Sequence, residues 1–274
     1  QALPVRPDAP ELREGRSQVL TEDAPLDFVL ERASAFSFAC RACGRCCSGK
    51  VIMVGPHEAL GMARLLGMGT TEFLARYTDN GGTTLRWEAD GRCAFVTAEG
   101  CRVHPRRPLV CRLYPLGRAI DGRGGERFAV FPKQDGCEGE FGADGTVAAF
   151  LESQGVGPYF EWSRLYGEIY GRMVALLDRL GVEGKVEAPA GGDLPGGVGR
   201  PAGSAGAGED DEGQGPGGGS DNAPLSAWQD VDASLSEYCA AKGIPVPEDI
   251  EDAIALHLQA MGEWLDGLEE RTGP

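Results

Sequence analysis

Residues 38–47 read FACRACGRCC and place Cys40, Cys43, Cys46 and Cys47 within eight positions. Thiols this close supply either disulfide bonding or metal ligation. The C-x2-C-x2-C spacing of Cys40, Cys43 and Cys46 can wrap one centre, as in ferredoxin-type [4Fe–4S] sites closed by a remote fourth cysteine. A C-x2-C pair suits zinc equally well. Side chains of adjacent residues ordinarily diverge. Cys47 is therefore expected to serve a second centre, to remain a spare thiol, or to replace Cys46.

Four more cysteines follow: Cys93, Cys101, Cys111 and Cys137. Only Cys239 lies apart, near the apolar face of a helical pattern, where a buried structural thiol is expected. The stretch GCRVHPRRPLVCRLYP surrounds Cys101 and Cys111 with Arg102, Arg106, Arg107 and Arg112. Cations beside thiols favour the thiolate and offset the negative charge of a metal–thiolate centre. Pro105, Pro108 and Pro115 keep this stretch from becoming one long helix. His104 is a further candidate ligand. Glu58 and Glu88 read as surface carboxylates, and no other acid–base machinery is visible.

Short elements must position these thiols. A helix is expected at 57–66, with Glu58 in its first turn and Leu60, Ala63 and Leu66 on one face. A second is expected at 71–77, capped by Thr70 or Thr71. Segments 84–88 and 92–96 flank ADG as a hairpin; 118–120 and 128–131 flank DGRGGE as another. Residues 141–181 turn helical: Trp162, Leu165, Tyr166, Ile169, Met173, Leu176, Leu177 and Leu180 recur at threes and fours before Gly181.

The expected organisation has four parts. Residues 1–35 are a proline-bearing extension of loop and one short helix. Residues 36–181 are the cysteine cluster domain with its flanking helix. Residues 182–223 are a glycine- and acid-rich flexible linker. Residues 224–274 hold two helix patterns, one marked by Trp228, Val231, Leu235 and Tyr238, the other by Ile250, Ile254, Leu258, Met261, Leu265 and Leu268. These helices pack on the core or on a protein partner. The fold class is α+β: a small metal-stapled core of short helices and hairpins, flanked by a long amphipathic helix and a C-terminal helical pair.

The net charge of −16 is localised. From Gly181 onward there are 19 acidic and 4 basic residues, leaving 23 acidic and 22 basic before it. An acidic tail repels nucleic acid and anionic membranes, so neither is an expected partner. No charged-then-apolar leader opens the sequence and no apolar run approaches the roughly 20 residues of a membrane span. The expectation is a cytoplasmic protein.

FACRACGRCC, followed by CAFVTAEGCRVHPRRPLVCRLYP, resembles the bacterial YkgJ-type cysteine cluster family, also described as a CxxCxxCC zinc- or iron-chelating domain. The resemblance covers roughly residues 38–137. It rests on the four-cysteine opening, Glu58 near the start of the first helix, Cys93 with Phe95, Gly100 with Cys101, and Arg107-Pro108 through Pro115. It implies binding of zinc or iron, with family members often described as Fe–S oxidoreductases. A related motif occurs in flagellin lysine methylases, but no G-x-G-x-x-G follows a strand here. The spacing also departs from the CxxxCxxC of radical SAM enzymes.

All eight cysteines from Cys40 to Cys137 form the expected metal set, with an iron–sulfur cluster placed ahead of zinc. Cys40, Cys43, Cys46 and Cys111 are grouped as one site. Cys47, Cys93, Cys101 and Cys137 complete a second site or its surround. The competing readings are a metal-binding module with a redox role, a cluster-dependent protein-modifying enzyme, and a zinc-stapled scaffold that binds a partner through its terminal helices.

Overall fold

The computed structural model describes residues 26–121, 123–181 and 228–272. Most of the expected N-terminal extension and the whole of the expected linker lie outside the described residues. Among those residues the fold is α+β, with helices packed around four two-stranded antiparallel sheets.

Strand β1 (Ala35–Ala39) opens the cysteine-rich stretch. Helix α1 (Pro56–Leu65) starts with Pro at its first position, where no N–H is needed. Helix α2 spans Thr70–Tyr77. Two small ladders follow, β2 (Thr78–Asp79) with β3 (Thr84–Leu85), and β4 (Val96–Thr97) with β5 (Gly100–Cys101). The expected ADG hairpin is thus redistributed. Its first strand pairs backwards with β2 and its second pairs forwards with β5. The Trp87–Cys93 bridge remains at the turn, with backbone bonds from the Glu88 N–H to the Arg92 carbonyl, the Gly91 N–H to the Glu88 carbonyl and the Ala94 N–H to the Arg86 carbonyl.

After the short helix α3 (Leu109–Leu113), strands β6 (Leu116–Ile120) and β7 (Glu126–Val130) form the second hairpin where it was expected. Leu30 extends its edge by pairing with Phe128. Strand β8 (Glu140–Thr146) returns to pair with β1, closing the two ends of the cysteine region on each other. This corrects the helical reading of 141–181 at its start. EFGADGT has two glycines and little strand propensity, so its conformation is decided by the β1 partner rather than by its own residues. Helices α4 (Val147–Ser153) and α5 (Gly157–Arg179) then follow the expected periodicity.

The C-terminal pair is α6 (Val231–Lys242) and α7 (Ile250–Thr272). Asp230 caps α6 through the Ala233 N–H, and Gly243 ends it at a φ of 66°. Both helices pack back on the domain. Leu60 of α1, Tyr166, Met173 and Leu176 of α5, Val231 and Leu235 of α6, and Ile254 and Leu265 of α7 share one apolar cluster. Burying each of the larger side chains contributes roughly 1.5–3 kcal/mol.

Helix α1 is buried from Pro56 to Ala63, not on one face alone. Leu60 faces the C-terminal cluster, whereas Ala59, Met62 and Ala63 face a second cluster with Phe73, Leu85, Phe95 and Val103. Cys47, Cys101 and Cys111 sit at the rim of that second cluster.

The α2 cap also differs from expectation. Gly69 occupies the cap position, with no side-chain oxygen of its own. Asp232 of α6 instead accepts the Thr70 N–H at 2.7 Å and the Arg64 guanidinium. The Thr70 and Thr71 hydroxyls donate to Asp230. Helix α2 is therefore capped from the C-terminal module.

Candidate metal centre

A 3-10 turn at Arg45–Cys47 determines how the opening motif presents its thiols. Gly44 begins it with a φ of 73°, and a Cβ there would stand 2.8 Å from Val96 Cγ1. A residue without a side chain is thus required by conformation and by space. The turn brings Cys46 Sγ to 4.0 Å from Cys47 Sγ. The expectation that these neighbours diverge is corrected by this tight turn. Two thiolates on one tetrahedral zinc, with bonds of about 2.3 Å, stand about 3.8 Å apart.

Cys46, Cys47, Cys101 and Cys111 are mutual electrostatic neighbours. The hydrogen bond with Cys46 and then burial push the Cys47 thiol far up, and the charges of Cys46, Cys111 and Cys101 push it further. Burial pushes Cys111 up, with Cys93, Cys101, Glu58 and Cys46 adding to it. Burial likewise raises Cys101, where Cys40 and Cys46 oppose the relief given by Arg107. Cys46 moves the other way, to about 7, through the Cys47 hydrogen bond and the Lys50 charge. The pair thus favours one thiolate with one thiol. Cys47, Cys101 and Cys111 border the second apolar cluster, and Cys93 lies within it.

The remaining thiols stand to one side. Cys137 is buried, and the charge of Cys43 acts on it. Backbone N–H groups of Ala42, Glu138 and Gly139 point at the sulfurs of Cys40, Cys43 and Cys137 at 3.4–3.5 Å. Of the expected set Cys40, Cys43, Cys46 and Cys111, the structure makes Cys46 and Cys111 neighbours and stands Cys43 beside Cys137. His104 is half-exposed, with Nδ1 3.3 Å from the Arg107 guanidinium. Cys239 is buried in the C-terminal module, away from this region.

The surface reading holds for Glu88, which is exposed, but not for Glu58. Glu58 is 5% exposed. One oxygen accepts the Gly55 N–H at 2.8 Å, and the other accepts the Leu109 N–H at 2.6 Å. A single carboxylate therefore ties the start of α1 to the start of α3, which carries Cys111. Burial pushes its pKa up to about 7, against the pull of both N–H donors and of Arg112. The packing of α3 against α1 joins positions 51 apart in the chain, which helical periodicity does not reveal.

Sequence reasoning also passed over Lys50 and Tyr114. The Lys50 ammonium lies 4.0 Å over the Tyr114 ring. Burial lowers its pKa, while the thiols of Cys46, Cys47, Cys111 and Cys137 raise it. The cation-rich surroundings were visible, but not which cation would face the sulfurs.

These neighbourhoods bring together the region Phe38 to Cys137. Residues 39–136 match the CxxCxxCC family model, "Putative zinc- or iron-chelating domain". No curated protein and no solved structure matches the chain. The match covers the cysteine region and leaves α4 to α7 outside it. No helix among the described residues is long and apolar enough to cross a membrane.

The donor set of residues 39–137 fits a thiophilic metal in chemistry: clustered thiols, N–H groups aimed at sulfur, and adjacent cations. The Cys46–Cys47 spacing fits two ligands of one tetrahedral ion. Among the described residues, no three His, Cys, Asp or Glu side chains are gathered at metal-holding geometry. Completing a centre on the pair requires Cys101 and Cys111 to turn toward it.

Proposed function

We propose that the domain binds one thiophilic metal centre through Cys46, Cys47, Cys101 and Cys111. The observation that carries this reading is the 4.0 Å Cys46–Cys47 pair, with Cys101 and Cys111 bordering the same apolar cluster as Cys47. Four protein thiolates form a closed centre of the structural kind. The pair supports a mononuclear zinc or iron ion better than a cubane cluster, in which each cysteine binds its own iron and the sulfurs stand further apart. When bound, the metal draws together the 45–47 turn, β5 and α3.

Cys43 and Cys137 are the reserve for a second centre or for redox chemistry. Anaerobic purification followed by iron, zinc and sulfide analysis with a visible spectrum tests the reading. One equivalent of zinc or iron without sulfide is expected. Cys47→Ser or Cys111→Ser should lose it, and Cys239→Ser should keep it. Stoichiometric sulfide, or metal content indifferent to Cys47 and Cys111, would count against it.

A further inference from the structure

Two donors beside the thiols lack acceptors. Lys50 is half-buried, makes no ion pair among the described residues, and has only the Tyr114 ring as a close partner. This contrasts with Arg41, Arg86, Arg92 and Arg118, each of which pairs with a carboxylate. The Tyr114 hydroxyl is buried with no hydrogen-bond partner. The Gln134 N–H approaches it without reaching hydrogen-bond geometry. An unpaired buried donor is costly, so such groups normally have an acceptor.

The two donors share neighbours. Lys50 lies three residues after Cys47 and Tyr114 three residues after Cys111, so the cation–ring contact spans the two thiol-bearing segments. The charges of Cys46, Cys47, Cys111 and Cys137 act on Lys50, and those of Cys46, Cys137 and Cys43 act on Tyr114. Cys46 and Cys137 are common to both.

We propose that Lys50 and Tyr114 are positioning residues for the metal centre, supplying a fixed positive charge and an O–H donor to metal-bound thiolates, Cys46 foremost. The inference rests on the metal reading above. Four thiolates on a divalent ion leave a net charge of −2, which an adjacent ammonium stabilises. Donors at ligand sulfur lower the energy of its lone pairs and so weaken its donation to the metal. The arrangement gives both unsatisfied donors an acceptor and gives the centre a counter-charge that does not bind the metal.

The test uses the full chain loaded with cobalt(II), which reports thiolate ligation through its sulfur-to-cobalt charge-transfer band. Wild-type protein should show the band. Lys50→Met and Tyr114→Phe should move it to longer wavelength, because sulfur lone pairs rise in energy when a donor or cation is removed. Lys50→Met should also weaken zinc binding by about tenfold in a chelator competition, the usual scale for outer ligand-supporting groups. Lys50→Arg should restore both readouts. Unchanged folding, checked by circular dichroism, separates these effects from collapse of the site. If wild-type protein shows no thiolate band, the metal reading itself fails. If it shows the band and neither variant shifts it or changes zinc affinity, metal binding stands and the roles assigned to Lys50 and Tyr114 fall.

Discussion

Glu58 joins two backbone starts that lie far apart in sequence, and a carboxylate is suited to this because both oxygens accept. Glu58→Gln keeps the shape but sets an amide NH2 against one of the two N–H donors. The variant is expected to lose about 1–3 kcal/mol of stability in urea unfolding, the cost of one buried unpaired polar group. The loss should be larger at pH 5 than at pH 8. Burial raises the folded pKa to about 7, from an ordinary value of 4.5, so the wild-type residue is mostly neutral at pH 5 and ionised at pH 8. The stability that neutral Glu58 contributes is full below about 4.5 and falls as pH rises through 7. At pH 8 wild-type Glu58 carries the cost of a buried charge that Gln does not, so the gap between the two proteins narrows. At this scale the eight cysteines were legible because thiol clusters have few other uses. Glu58 was not, because a first-turn Glu looks the same whether it caps a solvated helix or a buried one. The closeness of Cys46 and Cys47 was also hidden, since it depends on a turn of three residues.

Among the elements, α2 depends on a cap supplied from α6. Asp232 is half-buried. Against the cost of burial, Arg64 and the Thr70 N–H hold its carboxyl below the usual range. Asp232→Ala removes the cap and leaves Arg64 without its ion pair. It is expected to cost about 1–3 kcal/mol and to raise hydrogen exchange at the start of α2 as well as in α6. A loss confined to α6 would show that α2 caps itself. Helices α1, α2, α5, α6 and α7 were legible from their periodicity. The strands were less so, because β8 carries glycines and the two-residue ladders β2 to β5 are too short for alternation to show. Thr70 and Thr71 looked like caps by residue type. Their hydroxyls are taken by Asp230, a partner 159 or more positions away.

At the scale of the whole molecule, α5 carries a buried polar contact between the cysteine domain and the C-terminal pair. The Tyr166 hydroxyl lies 2.9 Å from His257 Nδ1, and its ring stacks on His57 at 14°. Burial lowers His57 to about 3 and His257 to about 4, the latter despite Asp230. Both lie below the ordinary 6.5, so the unfolded chain takes up these protons first. The stability that these two neutral imidazoles contribute is therefore full above about pH 6.5 and falls as pH drops toward 4 and then 3. Thermal unfolding followed by far-UV circular dichroism should show this acid limb. The double variant Tyr166→Phe with His257→Leu should remove the His257 part of this limb and leave the His57 part.

Helix α1 has a wall of apolar side chains on each side, one belonging to the cysteine region and one to the C-terminal pair. The side chains of both walls named above come from described residues on either side of the interval between 181 and 228. If the chain is cleaved within that interval, the protein becomes a receptor and its own ligand. Residues 228–272 should remain bound through gel filtration after the cut, and Asp232→Ala should release them. The last helices then act as a bound subunit that happens to be encoded in the same chain.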